Sequence, residues 1–270
     1  VNALKTTLLL GLLTGFLLLI GEIVGGRSGM TLMLGISALM NLGTWFFADT
    51  LVLRSTGAQP VPPGELGWLH EDVAELARKA NIPKPRLYWT PEPSPNAFAT
   101  GRSPSKGVVA VTQGLLNTLN RREIRGVLAH EIGHIKHRDT LTSAVAATLA
   151  GAISYAAYMV MWSRDRDIHP LVKMLVFLLA PMAALIIRMA ISRTREYSAD
   201  RRAAELTGDP LGLASALDSL SRGVHRQPMH TAQAQSVHMV VNGFTGGLSG
   251  LMSTHPPIEE RVRRLREMAR

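Results

Sequence analysis

The chain has 270 residues, 46% of them hydrophobic and 18% charged, with a net charge of +9 and a pI near 10.4. It contains no cysteine, which excludes disulfides and thiolate metal sites and leaves histidine and carboxylate as the only strong metal ligands. The basic balance suits nucleic acid, anionic lipid or the cytoplasmic loops of a membrane protein, and the absence of any stripe interleaving arginine with aromatics argues against nucleic acid.

The apolar residues are bunched into runs. The first, "TTLLLGLLTGFLLLIG", predicts a membrane helix over 4–24, although Lys5 before a leucine-rich core also fits a signal peptide; no small-x-small cleavage site precedes Glu22. The second, "SGMTLMLGISALMNLGTWFFADTLVL", predicts a span over 29–53 and carries one acid, Asp49. A bilayer core of about 30 Å needs about 20 mostly apolar helical residues, which both runs approach.

A polar segment follows over 54–140. "PGELGWLHEDVAELARKANI" repeats apolar residues at helical spacing. "PRLYWT" reads as a strand and "PEPSP" as a loop, while "NAFAT" and "GVVAVTQG" read as paired strands. "NRREIRGVLAHEIGHIKHRD" is then a helix with Asn120 as its N-cap.

That helix contains HExxH. His130 and His134 stand about 6 Å apart along one face, where both imidazoles can reach one zinc ion. Glu131 between them can take a proton from water without being a ligand. Gly133 is read as permitting close backbone approach. His137 is about 10 Å from His130 along the axis, too far to share the same metal, and is read as a cap or membrane-facing residue.

An uncharged run from Leu141 to Trp162 predicts a third span over 141–162. "LVKMLVFLLAPMAALIIRMAIS" predicts a fourth over 170–192, with Lys173 and Arg188 near its ends. Arg27, Arg164 and Arg166 fall on one side of the four spans, while Lys5, Arg54, Lys136, Arg138, Arg193, Arg195, Arg201 and Arg202 fall on the other. The excess of positive charge places the second side, with both termini and both polar segments, in the cytoplasm.

The second polar segment, 193–270, supplies the missing ligand. Two histidines leave a catalytic zinc one protein ligand short. In "SRTREYSAD", Glu196 would complete a His2Glu set, and Asp200, one turn later, would accept a hydrogen bond from a ligand's outer ring nitrogen. The same two acids also suit a solvated helix face beside Arg195 and Arg201. "DPLGLASALDSLSRG" starts a helix capped by Asp209, and "PPIEERVRRLREMAR" is a packed terminal helix. Residues 223–254 show no period and are expected to form a mobile loop, with a lid role left open. "GFTGGLSG" within it lacks the strand and helix that a nucleotide-binding turn requires.

With "NAFATG", "AHEIGHIKHRD", "SRTREYSAD" and "THPPIEERVRRL" in this order, the chain resembles the HtpX-type integral-membrane zinc metalloproteases, relatives of the CAAX prenyl protease, along essentially its whole length. The resemblance implies a mostly α membrane protein with four transmembrane helices and a cytoplasmic α+β, zincin-type (gluzincin-like) protease domain holding a small β-sheet. It implies one Zn2+ held by His130, His134 and Glu196, Glu131 as general base, and Asp200 as the acid behind a ligand. Asn96, Ala97 and Phe98 match an edge strand that pairs with extended substrate. His255 and Arg261 match helpers for the tetrahedral intermediate, and His255 equally suits a cap on the terminal helix. Four spans are too few for the closed chamber of the prenyl proteases, which disfavours prenylated substrates.

The expected activity is endoproteolysis at the cytoplasmic face of a bacterial inner membrane, with damaged or misfolded membrane proteins as substrates and oligomerisation left open. Nine histidines in a membrane protein also raise a divalent-metal transporter or sensor, but such ligands belong inside the spans. A CAAX-type processing protease would share the same motifs. A catalytically inactive scaffold would not need the intact HExxH with Glu196, which weighs against it.

Overall fold

The computed structural model describes residues 2–62, 64–162, 174, 194–224 and 256–270. The chain divides into two compact units, residues 1–47 with 141–191, and residues 48–140 with 192–270.

In the first unit, helix α1 (Asn2–Ser55) is interrupted at Gly25 and Gly26, whose backbone angles are not helical. Gly26 has φ 55°, a left-handed conformation that favours glycine. Two apolar runs thus become two helical segments joined by a sharp turn. They approach so closely at Gly21 and Gly29 that a Cβ on either would strike the other's backbone. Helix α5 (Asp139–Trp162) supplies, from Leu141 on, the rest of the described part of this unit apart from Met174. Its Leu149 and Ala152 pack with Leu13 and Leu17.

The polarity of this unit is inverted. Leu4, Leu8, Leu12, Leu19, Leu32, Leu39, Phe46 and Phe47 are exposed. Hydroxyls meet inside: Thr6 with Thr142 at 2.9 Å and Thr44 with Thr148 at 3.0 Å, while Ser37 and Asn41 donate to Thr14 Oγ1 at 2.8 and 3.1 Å. Among the described residues one helix, Gly25–Phe47, is long and apolar enough to cross a membrane, and Thr6–Glu22 and Asp139–Ile153 are shorter apolar helices. The fourth expected span, 170–192, lies outside the described residues apart from Met174.

The second unit is built around a four-stranded mixed sheet. Strands β1 (Gln59–Pro60), β2 (Arg86–Thr90), β3 (Ala97–Thr100) and β4 (Val108–Thr112) lie in the order β1-β2-β4-β3. β2 and β4 are parallel, and β3 runs antiparallel to β4 with Phe98 opposite Ala110. The run "VVAVT" is buried on both faces, as suits an inner strand. Val109 and Val111 face the main core, while Val108 and Ala110 pack with Phe98 and Leu53. Asp49, the one acid of the second apolar run, accepts from Arg86 Nη2 at 3.1 Å.

Helices α2 (Gly67–Ala80), α4 (Arg121–His137), α7 (Pro210–Val224) and α8 (Ile258–Met268) pack with this sheet around Leu69, Val73, Leu76, Ile124, Leu128, Ile132, Leu213, Leu217 and Leu265. A short helix, α3 (Gln113–Thr118), leads into α4, and α6 (194–207) precedes α7. The expected N-cap of α4 is a full capping box: Asn120 Oδ1 accepts from Glu123 N–H, and Glu123 Oε2 accepts from Asn120 N–H. Gly208, at φ 67°, ends α6, and Asp209 Oδ1 accepts from Gly212 N–H at the start of α7.

One expectation about packing is corrected. At Gly133 a Cβ would sit 3.6 Å from Ala199 and Arg202, an ordinary contact. The glycine that close packing demands is Gly126, where a Cβ would fall 2.7 Å from the Leu213 nitrogen; α4 and α7 touch backbone to backbone there.

Candidate metal centre

Helix α4 presents His130, Glu131 and His134, and α6 presents Glu196 and Asp200; all five are buried. One ligand atom each from His130, His134 and Glu196 lie within 4.8 Å of one another. The two Nε2 atoms are 3.1 Å apart. His130 Nε2 is 3.5 Å from Glu196 Oε2, and His134 Nε2 is 3.5 Å from Glu196 Oε1. Ligands about 2.0–2.1 Å from a tetrahedral zinc are about 3.3–3.4 Å from each other, so these separations fit one ion.

The outer ring nitrogens decide which atoms face inward. His130 Nδ1 lies 2.9 Å from Asp200 Oδ1, and His134 Nδ1 lies 3.0 Å from Asp139 Oδ2. A carboxylate only accepts, so each Nδ1 carries a proton and each Nε2 turns a lone pair inward. Two lone pairs 3.1 Å apart beside a carboxylate repel unless a positive charge stands between them. A cation therefore suits this donor set, and without one a proton does the same work. Burial opposes charge on His130, yet hydrogen bonds to Asp200 and Glu196 hold its imidazole up at about 10.

Arg261, on α8, is fully buried. It forks onto Asp200, Nε to Oδ2 at 2.8 Å and Nη2 to Oδ1 at 2.6 Å, and its Nη1 lies 3.5 Å from Glu196 Oε2. Burial opposes ionisation of Asp200, but this guanidinium outweighs it and holds the carboxyl at about 2. Glu131 is pushed up from the ordinary carboxylate range, first by burial and then by Glu196, against the pull of both histidines and of the Ala99 N–H. Its Oε2 is buried without a hydrogen-bond partner among the described residues.

Among the described residues β3 is one of the two edge strands of the sheet, the other being β1. Thr112 N–H donates to Asn96 O at 3.0 Å. An antiparallel ladder alternates, so Asn96, Phe98 and Thr100 direct their backbone groups to β4 and Ala97 and Ala99 direct theirs to the open side. The Ala99 backbone lies toward the Glu131 carboxylate and favours its charged form. Of the expected edge residues, Asn96 is half-buried, and Ala97 and Phe98 are buried.

His137 Nδ1 pairs with the Gly133 carbonyl at 3.0 Å, one turn back on its own helix. His255 lies outside the described residues, as do residues 225–254 of the expected loop. Sequence reasoning missed Asp139 and Arg195. Asp139 had one signal, its place in "HIKHRDT", but nothing in the spacing shows that it turns back to His134.

An HExxH helix, a carboxylate converging on it from a separate helix and a neighbouring edge strand together point to a metallopeptidase. The chain belongs to Peptidase family M48, whose sequence model matches residues 63–269. It is 50% identical over 282 residues to a protein of Persephonella marina named Protease HtpX homolog, with 100% of this chain and 98% of the relative covered. Proteins of the same name from Salinibacter ruber and Burkholderia thailandensis are 48% and 46% identical, over 99% and 100% of this chain and 98% of each relative. The crystal structure of S. mikatae Ste24p shares the fold, with a TM-score of 0.59 at 20% identity over 98% of this chain; the chain spans 64% of that larger structure. The protein is thus a metallopeptidase of the HtpX-like kind that its motifs resemble.

Proposed function

We propose that the chain is a zinc metalloendopeptidase of the bacterial inner membrane, with four spans over 4–24, 29–53, 141–162 and 170–192. Its protease segments, 54–140 and 193–270, and both termini would be cytoplasmic. It would cut damaged or misfolded membrane proteins at that face.

The observation that carries the catalytic reading is the convergence of His130 Nε2, His134 Nε2 and a Glu196 oxygen within 4.8 Å, all buried. These three residues would hold the zinc. Bound there, zinc supplies a Lewis acid that polarises a carbonyl and makes a water easier to deprotonate.

The chain's own residues do the rest. Glu131 Oε2 takes the proton of the attacking water and then passes it to the leaving amide nitrogen. Burial raises the affinity of this carboxylate for a proton, which makes it a stronger base than an exposed glutamate. Asp200 fixes the His130 tautomer, and Arg261 fixes Asp200, acting through it rather than on substrate. Asn96, Ala97 and Phe98 form the rail for an extended substrate, its open-side backbone groups supplied by Ala97 and Ala99; backbone pairing tolerates many sequences. His255 keeps its two readings, helper at the oxyanion or cap on α8.

Exposed leucines and inward hydroxyls in the first unit support the membrane reading. In lipid, helices associate through small and polar residues because their apolar faces gain nothing from leaving the hydrocarbon. A metal transporter is disfavoured because the ligand cluster lies in the core of the second unit rather than in the apolar helices.

Metal analysis and cleavage of an unfolded protein substrate, on wild type and Glu131→Gln in parallel, test the proposal. The variant should bind zinc like the wild type and lose cleavage by at least about 100-fold. Undiminished cleavage by the variant would end the mechanism, and metal uptake by proteoliposomes without cleavage would favour the transporter.

A further inference from the structure

Each inward-facing histidine hands its outer ring proton to a buried carboxylate, but the two carboxylates arrive by different routes. Asp200 stands four residues after Glu196 on α6, one turn along the same face. Asp139 is the first residue of the apolar helix α5, five residues after His134. Were α4 to continue unbroken, residue 139 would sit about 140° around the axis from His134 and could not meet it. Arg138 prevents that continuation. At φ 58° and ψ 31° it is a non-glycine residue in the left-handed region, a conformation that costs energy and persists only where surroundings enforce it. The reversal brings Asp139 Oδ2 to 3.0 Å from His134 Nδ1, with Asp139 buried.

The backbone here is fastened from both sides. Buried Arg195 donates through Nη1 to the Asp139 carbonyl at 3.0 Å. The next residue, Thr140, donates through Oγ1 to the Gly101 carbonyl at 2.8 Å, just beyond β3. Arg195 is also the chain neighbour of Glu196. One bonded path therefore runs from His134 through Asp139 and Arg195 to Glu196. It mirrors the path from His130 through Asp200 and Arg261 toward the same glutamate.

We propose that Asp139 is a positioning residue of the metal centre, its carboxylate holding His134 with Nδ1 protonated and Nε2 bare, and that Arg195 braces it against the helix of the third ligand. This rests on reading His130, His134 and Glu196 as the ligands. Removing a hydrogen-bond partner behind a metal-bound histidine lowers metal affinity by about 10–100-fold. Asp139→Leu removes the acceptor altogether, whereas Asp139→Asn keeps a weaker, neutral one.

The test is zinc affinity of the detergent-solubilised full chain, by competition with a chromophoric chelator, together with the absorption spectrum of cobalt(II)-loaded protein. Asp139→Leu should bind zinc about 10–100-fold more weakly, Asp139→Asn by a smaller, several-fold factor, and the cobalt bands should shift in both. Asp72→Asn is the control, a buried carboxylate of the same unit held by Arg121 and Arg125; it should leave zinc affinity unchanged.

If Asp139→Leu fails to fold, Asp139→Asn decides: a several-fold loss supports the role, and parity overturns it. Equal losses for Asp72→Asn and Asp139→Asn would also overturn it, because the effect would then be general. A wild type that binds no zinc would refute the metal centre itself, a result distinct from a wild type that binds and Asp139 variants that match it.

Discussion

Arg261→Leu is predicted to be the most destabilising single charge deletion in the second unit. Its guanidinium is fully buried, forks Asp200 at 2.8 and 2.6 Å, and lies 3.5 Å from Glu196. Leucine fills much of the space but leaves the buried Asp200 carboxylate without its cation. Removing one partner of a buried pair costs about 3–5 kcal/mol. For a unit of about 170 residues, each kcal/mol moves the midpoint by about 2–4 °C, so the metal-free protein should melt about 6–20 °C lower. Arg263→Leu, on the same helix but with a side chain 59% exposed, should leave the midpoint close to that of wild type, because solvent screens its ion pairs. The assay is thermal unfolding in detergent with a chelator present, for both single variants and for Arg261→Leu with Asp200→Asn. The double variant should recover stability relative to additivity, because no buried anion at position 200 is left unpaired. A midpoint within about 3 °C of wild type for Arg261→Leu, or strict additivity in the double variant, would refute the reasoning.

Two glycines of α4 should behave oppositely. Gly126→Ala, whose new Cβ would lie 2.7 Å from the Leu213 nitrogen, should lose about 1–3 kcal/mol, read as a lower melting point. Gly133→Ala, with 3.6 Å of clearance, should be neutral or gain up to about 1 kcal/mol in helix propensity. Acid stability should show the pairing of α2 with α4. Arg125 first and Lys79 second hold the Glu75 carboxyl down at about 2, below its unfolded value of about 4.3. The stabilisation is therefore complete above about pH 4.5 and lost as pH falls toward about 2. Glu75→Gln should melt lower than wild type at pH 6, the gap should narrow as pH falls through about 4 and close only below about pH 2, and 0.5 M salt should shrink it. Convergence failing at low pH would count against that ion pair.

The sequence made the periodic parts of this molecule readable. The helix over α2, the strand at Arg86–Thr90, the Asn120 cap and the HExxH face all follow from local rules that tertiary packing did not override. The juxtaposition of Glu196 with His130 was reachable because the apolar runs implied a hairpin returning the chain to one side. What stayed hidden depends on backbone reversals and long-range approach. No periodicity foretells that Arg138 adopts a left-handed conformation, and without that turn Asp139 is merely an acid at a helix start. The preference for Gly126 over Gly133 as the close-packing position needs the location of α7, which lies more than 80 residues on. Arg261 was singled out only through the family resemblance, as a helper for the intermediate; nothing local in its helix foretells its fork onto Asp200, which sets it apart from Arg263 and Arg264.

The open side of β3, to which Ala97 and Ala99 turn their peptide groups, carries a kinetic consequence. If β3 is the substrate rail proposed above, a chain segment would engage it only while its own amides and carbonyls are unpaired, so residues inside an intact helix or sheet would be invisible to it. When opening and reclosing are fast, cleavage follows the population of the locally opened form. A client whose segment opens at a cost of about 4 rather than about 7 kcal/mol would be cut about 160-fold faster. The strand would then work as a gauge of local unfolding free energy, and a protein's lifetime in the membrane would be set by its own weakest segment.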